Sequence, residues 1–73
     1  MLLVIAKRGK DVYFLTKYGF FSGYGLALKF NSVEEAEGYY KTVKPEPVSS
    51  YTVGICEDVG NKSYLKERYI EKL

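Results

Sequence analysis

The sequence predicts an α+β domain of order β-β-β-α-β-α, a four-stranded sheet, mixed but mainly antiparallel, with helices packed on it. Three observations carry this expectation. Short apolar runs rich in β-branched and aromatic residues recur at positions 2–6, 12–16, 26–30 and 51–56. A serine-led capping pattern at Ser32 opens a stretch whose apolar residues repeat at helical spacing. The chain then closes with Leu65, Tyr69 and Leu73 four residues apart. At 73 residues this is a single small α+β domain, residues 1–73, with little core to spare.

The first run, Leu2-Leu3-Val4-Ile5-Ala6, is apolar without interruption, as a strand covered on both faces is, so it belongs at the centre of the sheet. It stops at Lys7-Arg8-Gly9-Lys10-Asp11, which has turn chemistry, and Val12-Tyr13-Phe14-Leu15-Thr16 completes a hairpin. In residues 26–30, Leu26, Leu28 and Phe30 share a face by the period of two, giving the third strand of a meander. In Ser32-Val33-Glu34-Glu35 the serine oxygen can accept from the third helical amide while Glu35 reaches back to the serine amide. Val33, Ala36, Tyr40 and Val43 then line one side of a helix with Tyr39 at its edge, and Glu34, Glu37, Gly38 and Lys41 face outward. Pro45 and Pro47 end it, since neither can donate a backbone hydrogen bond.

Residues 51–56 make the fourth strand, and Asn61 or Ser63 caps a last helix carrying Leu65, Tyr69 and Leu73. The meander alternates direction and the first helix returns the chain, so the fourth strand is expected to lie beside the first and parallel to it, through a right-handed crossover. The second strand carries Val12 and Phe14 on one face and Tyr13 and Leu15 on the other, so the sheet needs a cover on each side. The first helix supplies one. The other falls to the last helix, to the aromatic loop before residue 26, to a second copy of the protein, or to a partner, because a bare face exceeds the apolar patch that soluble monomers leave exposed.

Composition excludes more chemistry than it indicates. There is no histidine, and the single cysteine, Cys56, has no partner for a disulfide or a clustered metal site, so no metal and no cofactor is expected. Cys56 reads as a small core residue in an apolar strand. Glu34, Glu35 and Glu37 gather where a helix dipole favours acids, and no nucleophile stands beside a base, so the chain is not read as an enzyme. The first apolar run is about a third of the length that crosses a bilayer and lacks the flanks of a secretory signal, so a reduced, cytoplasmic, membrane-free setting is expected.

The most informative stretch is Tyr18-Gly19-Phe20-Phe21-Ser22-Gly23-Tyr24-Gly25, with four rings and three glycines in eight residues. Large rings supply contact area at low entropic cost, and glycines allow sharp turns. The partner-binding set read here is Lys17, Tyr18, Phe20, Phe21 and Tyr24. Phe20 and Phe21 have no polar tip and lean toward completing the core, which leaves Tyr18 and Tyr24 as the stronger contact residues. The preferred reading is a non-enzymatic protein that docks on a host protein through these tyrosines and the adjoining sheet edge; eight tyrosines and no tryptophan suit a contact surface.

Two other readings stay open. A single-stranded nucleic-acid-binding module would use the same rings with Lys7, Arg8, Lys10 and Lys17, although a formal charge of +2 is too small for long-range attraction to nucleic acid. A self-associating protein would bury the uncovered sheet face in a homodimer.

The run Ala27-Leu28-Lys29-Phe30-Asn31-Ser32-Val33-Glu34-Glu35-Ala36-Glu37 resembles a pattern common in small orphan proteins encoded by bacteriophages, in which a strand ending in an aromatic residue enters a Ser or Thr cap and a Glu-Glu-Ala helix start. Where such proteins have a role, the resemblance implies binding and disabling of a host enzyme or defence complex. It carries over no functional residue.

Overall fold

A computed structural model of the chain describes residues 1–46, 50–60 and 62–73. β1 (Leu2–Arg8) and β2 (Asp11–Leu15) form the expected hairpin, in register from Ile5↔Phe14 to Arg8↔Asp11. Gly9 turns it with φ 56°, a left-handed conformation that a side chain would strain. β3 (Phe21–Ser22) pairs with the far end of β2, and β4 (Thr52–Glu57) runs along the other side of β1. β5 (Glu71–Lys72) adds to the outer side of β4, giving the order β3-β2-β1-β4-β5 with each pairing antiparallel.

β1 is central, as its unbroken apolar run predicts: Leu3, Val4, Ile5 and Ala6 are all fully buried. Burying a Val, Leu or Ile side chain contributes about 1.5–3 kcal/mol, so this one strand supplies a large part of a small domain's hydrophobic stabilisation. α1 (Val33–Val43) starts where expected, with Ser32 Oγ accepting from the Glu35 amide at 3.1 Å. It stops at Lys44, whose left-handed backbone lets its amide bond the Tyr40 carbonyl ahead of Pro45. Pro47 lies outside the described residues. Gly38 faces outward, with open space where a Cβ would stand.

The α+β class holds, but the topology differs from expectation in four respects. First, the third strand is Phe21–Ser22 and not residues 26–30. The latter segment begins in a 3₁₀ turn (Tyr24–Leu26) and then crosses the end of the sheet, bridging Thr16 through Ala27 and Leu2 through Phe30. Second, β4 is antiparallel to β1. The crossing segment delivers the chain to α1 beside Leu2, where β1 begins, while β4 starts beside Lys7 where β1 ends, so β4 has to run back.

Third, no helix forms over residues 63–73. A 3₁₀ turn (Tyr64–Lys66) is followed by extended chain and β5. The Ser63 side chain makes no capping bond, and Asn61 lies outside the described residues. The backbone gains more from the open edge of β4: the Ile70 amide bonds the Ile55 carbonyl at 2.7 Å, and Leu73 bonds Val53 at 2.9 Å. Leu65, Tyr69 and Leu73 therefore do not form a stripe. Leu65 is exposed, Tyr69 packs on one face of the sheet and Leu73 on the other. Fourth, the sheet among the described residues has five strands and the fold one α-helix, where four strands and two helices were expected.

Both faces are covered from within the chain. On one, α1 brings Ala36, Tyr39, Tyr40 and Val43 onto Val4, Leu15 and Ile55. On the other, Tyr24, Ala27, Val59, Tyr64 and Tyr69 close over Leu3, Ile5, Phe14 and Cys56. Of the covers the sequence left open for the second face, the aromatic loop, through Tyr24, and the C-terminal segment, through Tyr64 and Tyr69, are the ones observed. Two packing details hold the second cover. Gly54 admits the Tyr69 ring, for a Cβ there would sit 2.6 Å from Tyr69 Cγ, and the Tyr69 hydroxyl donates to the Thr52 carbonyl.

Candidate functional site

The aromatic stretch divides into an outward and an inward half. Tyr18 and Phe20 stand in solvent, 60% and 52% exposed, on the turn that joins β2 to β3. Their rings stack with centroids 6.0 Å apart and planes 20° from parallel, and the Lys17 ammonium lies 5.3 Å from the Tyr18 ring centre. Phe21 turns the other way, into the α1 side of the core. Of the two phenylalanines expected to complete the core only Phe21 does so, because adjacent residues entering a strand point to opposite sides.

Thr16 builds this turn. It is fully buried, and its amide and Oγ1 both donate to the Phe20 carbonyl, at 3.0 and 2.8 Å. Oγ1 also accepts from the Tyr18 amide at 3.3 Å, while the Thr16 carbonyl accepts from the Gly19 amide at 3.1 Å and from the Tyr39 hydroxyl of α1 at 2.7 Å. Gly19 supplies the φ of 83° that closes the loop and lies against Val43 at the end of α1. Two exposed rings are thus mounted on a hydrogen-bonded turn, itself tied to the helix. A contact made through such a turn loses little conformational entropy.

Tyr24, expected among the stronger contact residues, is half-buried and packs against the core. Its ring meets Phe14 edge-on at 5.5 Å and Tyr64 at 5.9 Å. Its hydroxyl donates to Asp58 Oδ1 at 2.9 Å, which is what lets a tyrosine bury here. Asp58 gathers three further donors, the Tyr64 hydroxyl and the Gly60 amide, each 2.9 Å from Oδ1, and the Lys29 ammonium, 3.0 Å from Oδ2. Tyr64 in turn accepts from the Val59 amide at 3.0 Å. Asp58 is a residue that sequence reasoning gives no part in the site. The available signal was Asp58-Val59-Gly60, an aspartate two residues before a glycine of positive φ, the pattern of an Asx turn.

The electrostatics of this group are those of a clasp. Burial alone would raise the Asp58 carboxyl, but the Gly60 amide, Lys29 and the two tyrosine hydroxyls hold it well below the usual carboxylate range. Burial, and then the bond to Asp58, push the Tyr64 phenol well above its ordinary value. The acid stays ionised and the phenol stays protonated, the reverse of what proton transfer near neutral pH requires. Cys56 is equally inert as a nucleophile, for burial raises its thiol to about 11.

The four cations of the nucleic-acid reading do not assemble. Arg8 and Lys10 flank the β1–β2 turn, and Lys7 reaches over the Tyr69 ring and donates to the Glu67 carbonyl. Lys17 lies beyond the other end of β2, a strand roughly 17 Å long. Arg8 stacks on Tyr51 and pairs with Asp11 at 3.7 Å, a solvated arrangement of little energetic weight. Among the described residues no cluster of three or more metal-ligating side chains occurs, and no helix is long and apolar enough to cross a membrane. Comparison with known protein families, with curated proteins and with solved structures gives no match, so the functional reading rests on geometry.

Proposed function

We propose that this protein is a non-enzymatic binding module of the phage-encoded kind, which modulates or inhibits a host protein by docking through the turn of Lys17, Tyr18 and Phe20. The observation that carries the reading is the stacked Tyr18–Phe20 pair, held in solvent by Thr16 with no core to complete. Exposed rings on a rigid turn are the features of a binding hot spot, where aromatic side chains fill a pocket on the partner. Phe21 and Tyr24 act in support, fixing the two ends of the stretch inside the fold.

A protein partner is favoured over a nucleic acid because Lys17 alone among the four sequence-flagged cations stands at these rings. A strand that stacked its bases there would meet one of those four cations, too little to hold its phosphates. The resemblance of residues 27–37 to phage-encoded orphans supports a partner in the host.

The test is affinity capture from host lysate with the wild type and with a Tyr18→Ala/Phe20→Ala variant side by side. Both side chains are exposed, so the variant should keep the circular dichroism spectrum and melting temperature of the wild type. A protein retained by the wild type and lost by the variant supports the reading. Identical retained sets refute it. A mass by light scattering that is twice the monomer in the wild type and single in the variant would move the contact to a second copy of the chain and also refute it.

A further inference from the structure

The end of the sheet that carries the β1–β2 turn holds a cleft of about 690 Å³, between that turn and the C-terminal segment. Lys7, Arg68 and Lys72 line it with one acidic residue, Glu67; Arg8 and Glu71 border it as well, but the Arg8 guanidinium stacks on Tyr51 and the Glu71 carboxylate lies beside Glu37 of α1. The cleft therefore carries an excess of two positive charges, as large as the formal charge of +2 on the whole chain. Positive charge that looks unremarkable in the composition is concentrated in one concavity, where low-dielectric walls focus its potential.

Arg8 pairs with Asp11, which lies outside the lining, and the other three cations have no ion-pair partner among the described residues. Lys7 is half-buried. One of its three donors goes to the Glu67 carbonyl, and its ammonium sits 4.9 Å from the centre of the Tyr69 ring. That contact holds the charge inside the cleft while leaving donors free. Arg68 and Lys72 are exposed on the C-terminal segment, and Ser50 and Thr52 add hydroxyl groups. A guanidinium presents a planar fork that meets two phosphate oxygens at once, and an ammonium beside it supplies a point charge.

We propose that this cleft binds a ligand through two adjacent phosphate groups, as in a diphosphate or its ester. Its volume is that of a small-molecule site and exceeds the needs of a single phosphate. It is independent of the Lys17–Phe20 turn, which lies beyond the opposite end of β2, so either assignment can fail without the other.

The experiment is an amide-resolved NMR titration with sodium pyrophosphate, with ADP, and with sodium sulfate at matched ionic strength, on the wild type and on an Arg68→Ala/Lys72→Ala variant. Saturable shifts are expected at Lys7, Arg8, Ser50, Thr52 and the amides of residues 68–72, with affinity weakened about tenfold or more in the variant, as loss of charge-assisted bonds requires. If ADP moves the same signals, nucleotides belong to the ligand class; if pyrophosphate alone does, the ligand is the free diphosphate. The proposal is overturned by no saturable shift with either phosphate compound at millimolar concentration, by sulfate acting with equal affinity, or by a folded variant that binds as the wild type does.

Discussion

Replacing Asp58 by alanine removes the acceptor on which four donors converge, and the cost can be worked from their burial. The carboxylate is 10% exposed, and Tyr64 is buried, so loss of the acceptor leaves the Tyr64 hydroxyl and the Gly60 amide without their partner. A hydrogen bond to a charged group contributes about 1.5–3 kcal/mol, and stranding a buried donor costs about 1–3 kcal/mol. Lys29 is half in water, and its pairing adds at most about 1 kcal/mol. Allowing for solvent reaching Tyr24, the total comes to about 3 kcal/mol, against a stability of about 4–11 kcal/mol for a 73-residue domain.

Urea denaturation followed by circular dichroism measures this directly. Asp58→Ala should lower the stability by about 3 kcal/mol and the melting temperature by roughly 12–24 °C. Asp58→Asn keeps an acceptor oxygen and should lose roughly half as much. Because the folded carboxyl titrates below its unfolded value of about 3.9, its contribution is complete above that pH and is lost as pH falls through the lower folded value. The gap between wild type and Asp58→Asn should thus be level from neutrality to about pH 5 and close below about pH 4. An alanine variant within about 1 kcal/mol of the wild type would refute the clasp.

Gly54→Ala places a Cβ 2.6 Å from Tyr69 Cγ and 2.8 Å from the Glu71 carbonyl, so it should push the Tyr69 ring and β5 off β4 and cost about 1–3 kcal/mol by thermal unfolding; an unchanged melting temperature would contradict this packing. Gly19→Ala should cost about 1–2 kcal/mol, since an L-residue must take φ 83°, and should disturb the Tyr18 and Phe20 amide signals more than any others. Cys56, fully buried and with its thiol raised to about 11, should react with a disulfide reagent at the rate of unfolding and not at the rate of a free thiol; prompt reaction of the native protein would count against its burial.

The candidate site was half legible in sequence. The ring density around Gly19 marked the stretch, and the adjacency of Phe20 and Phe21 already required opposite faces. Which ring of the four would bury was not legible. A phenol buries only where its hydroxyl finds an acceptor, and Tyr24 finds it on Asp58, thirty-four residues away. The cleft of Lys7, Arg68 and Lys72 was invisible for the same reason, because its walls come from the two ends of the chain.

Features set by neighbours along the chain were readable from the residues alone: the apolar run that makes β1 central, the Gly9 hairpin, the Ser32 cap and the stop before Pro45. They are local choices of backbone conformation and burial, in which a few adjacent side chains decide the energy. The tertiary structure decided strand direction and the fate of residues 63–73. A spacing of four apolar residues suits a helix in isolation, but the open edge of β4 offers that backbone hydrogen bonds and Gly54 offers Tyr69 a seat. Neither offer exists until β4 has been placed beside β1.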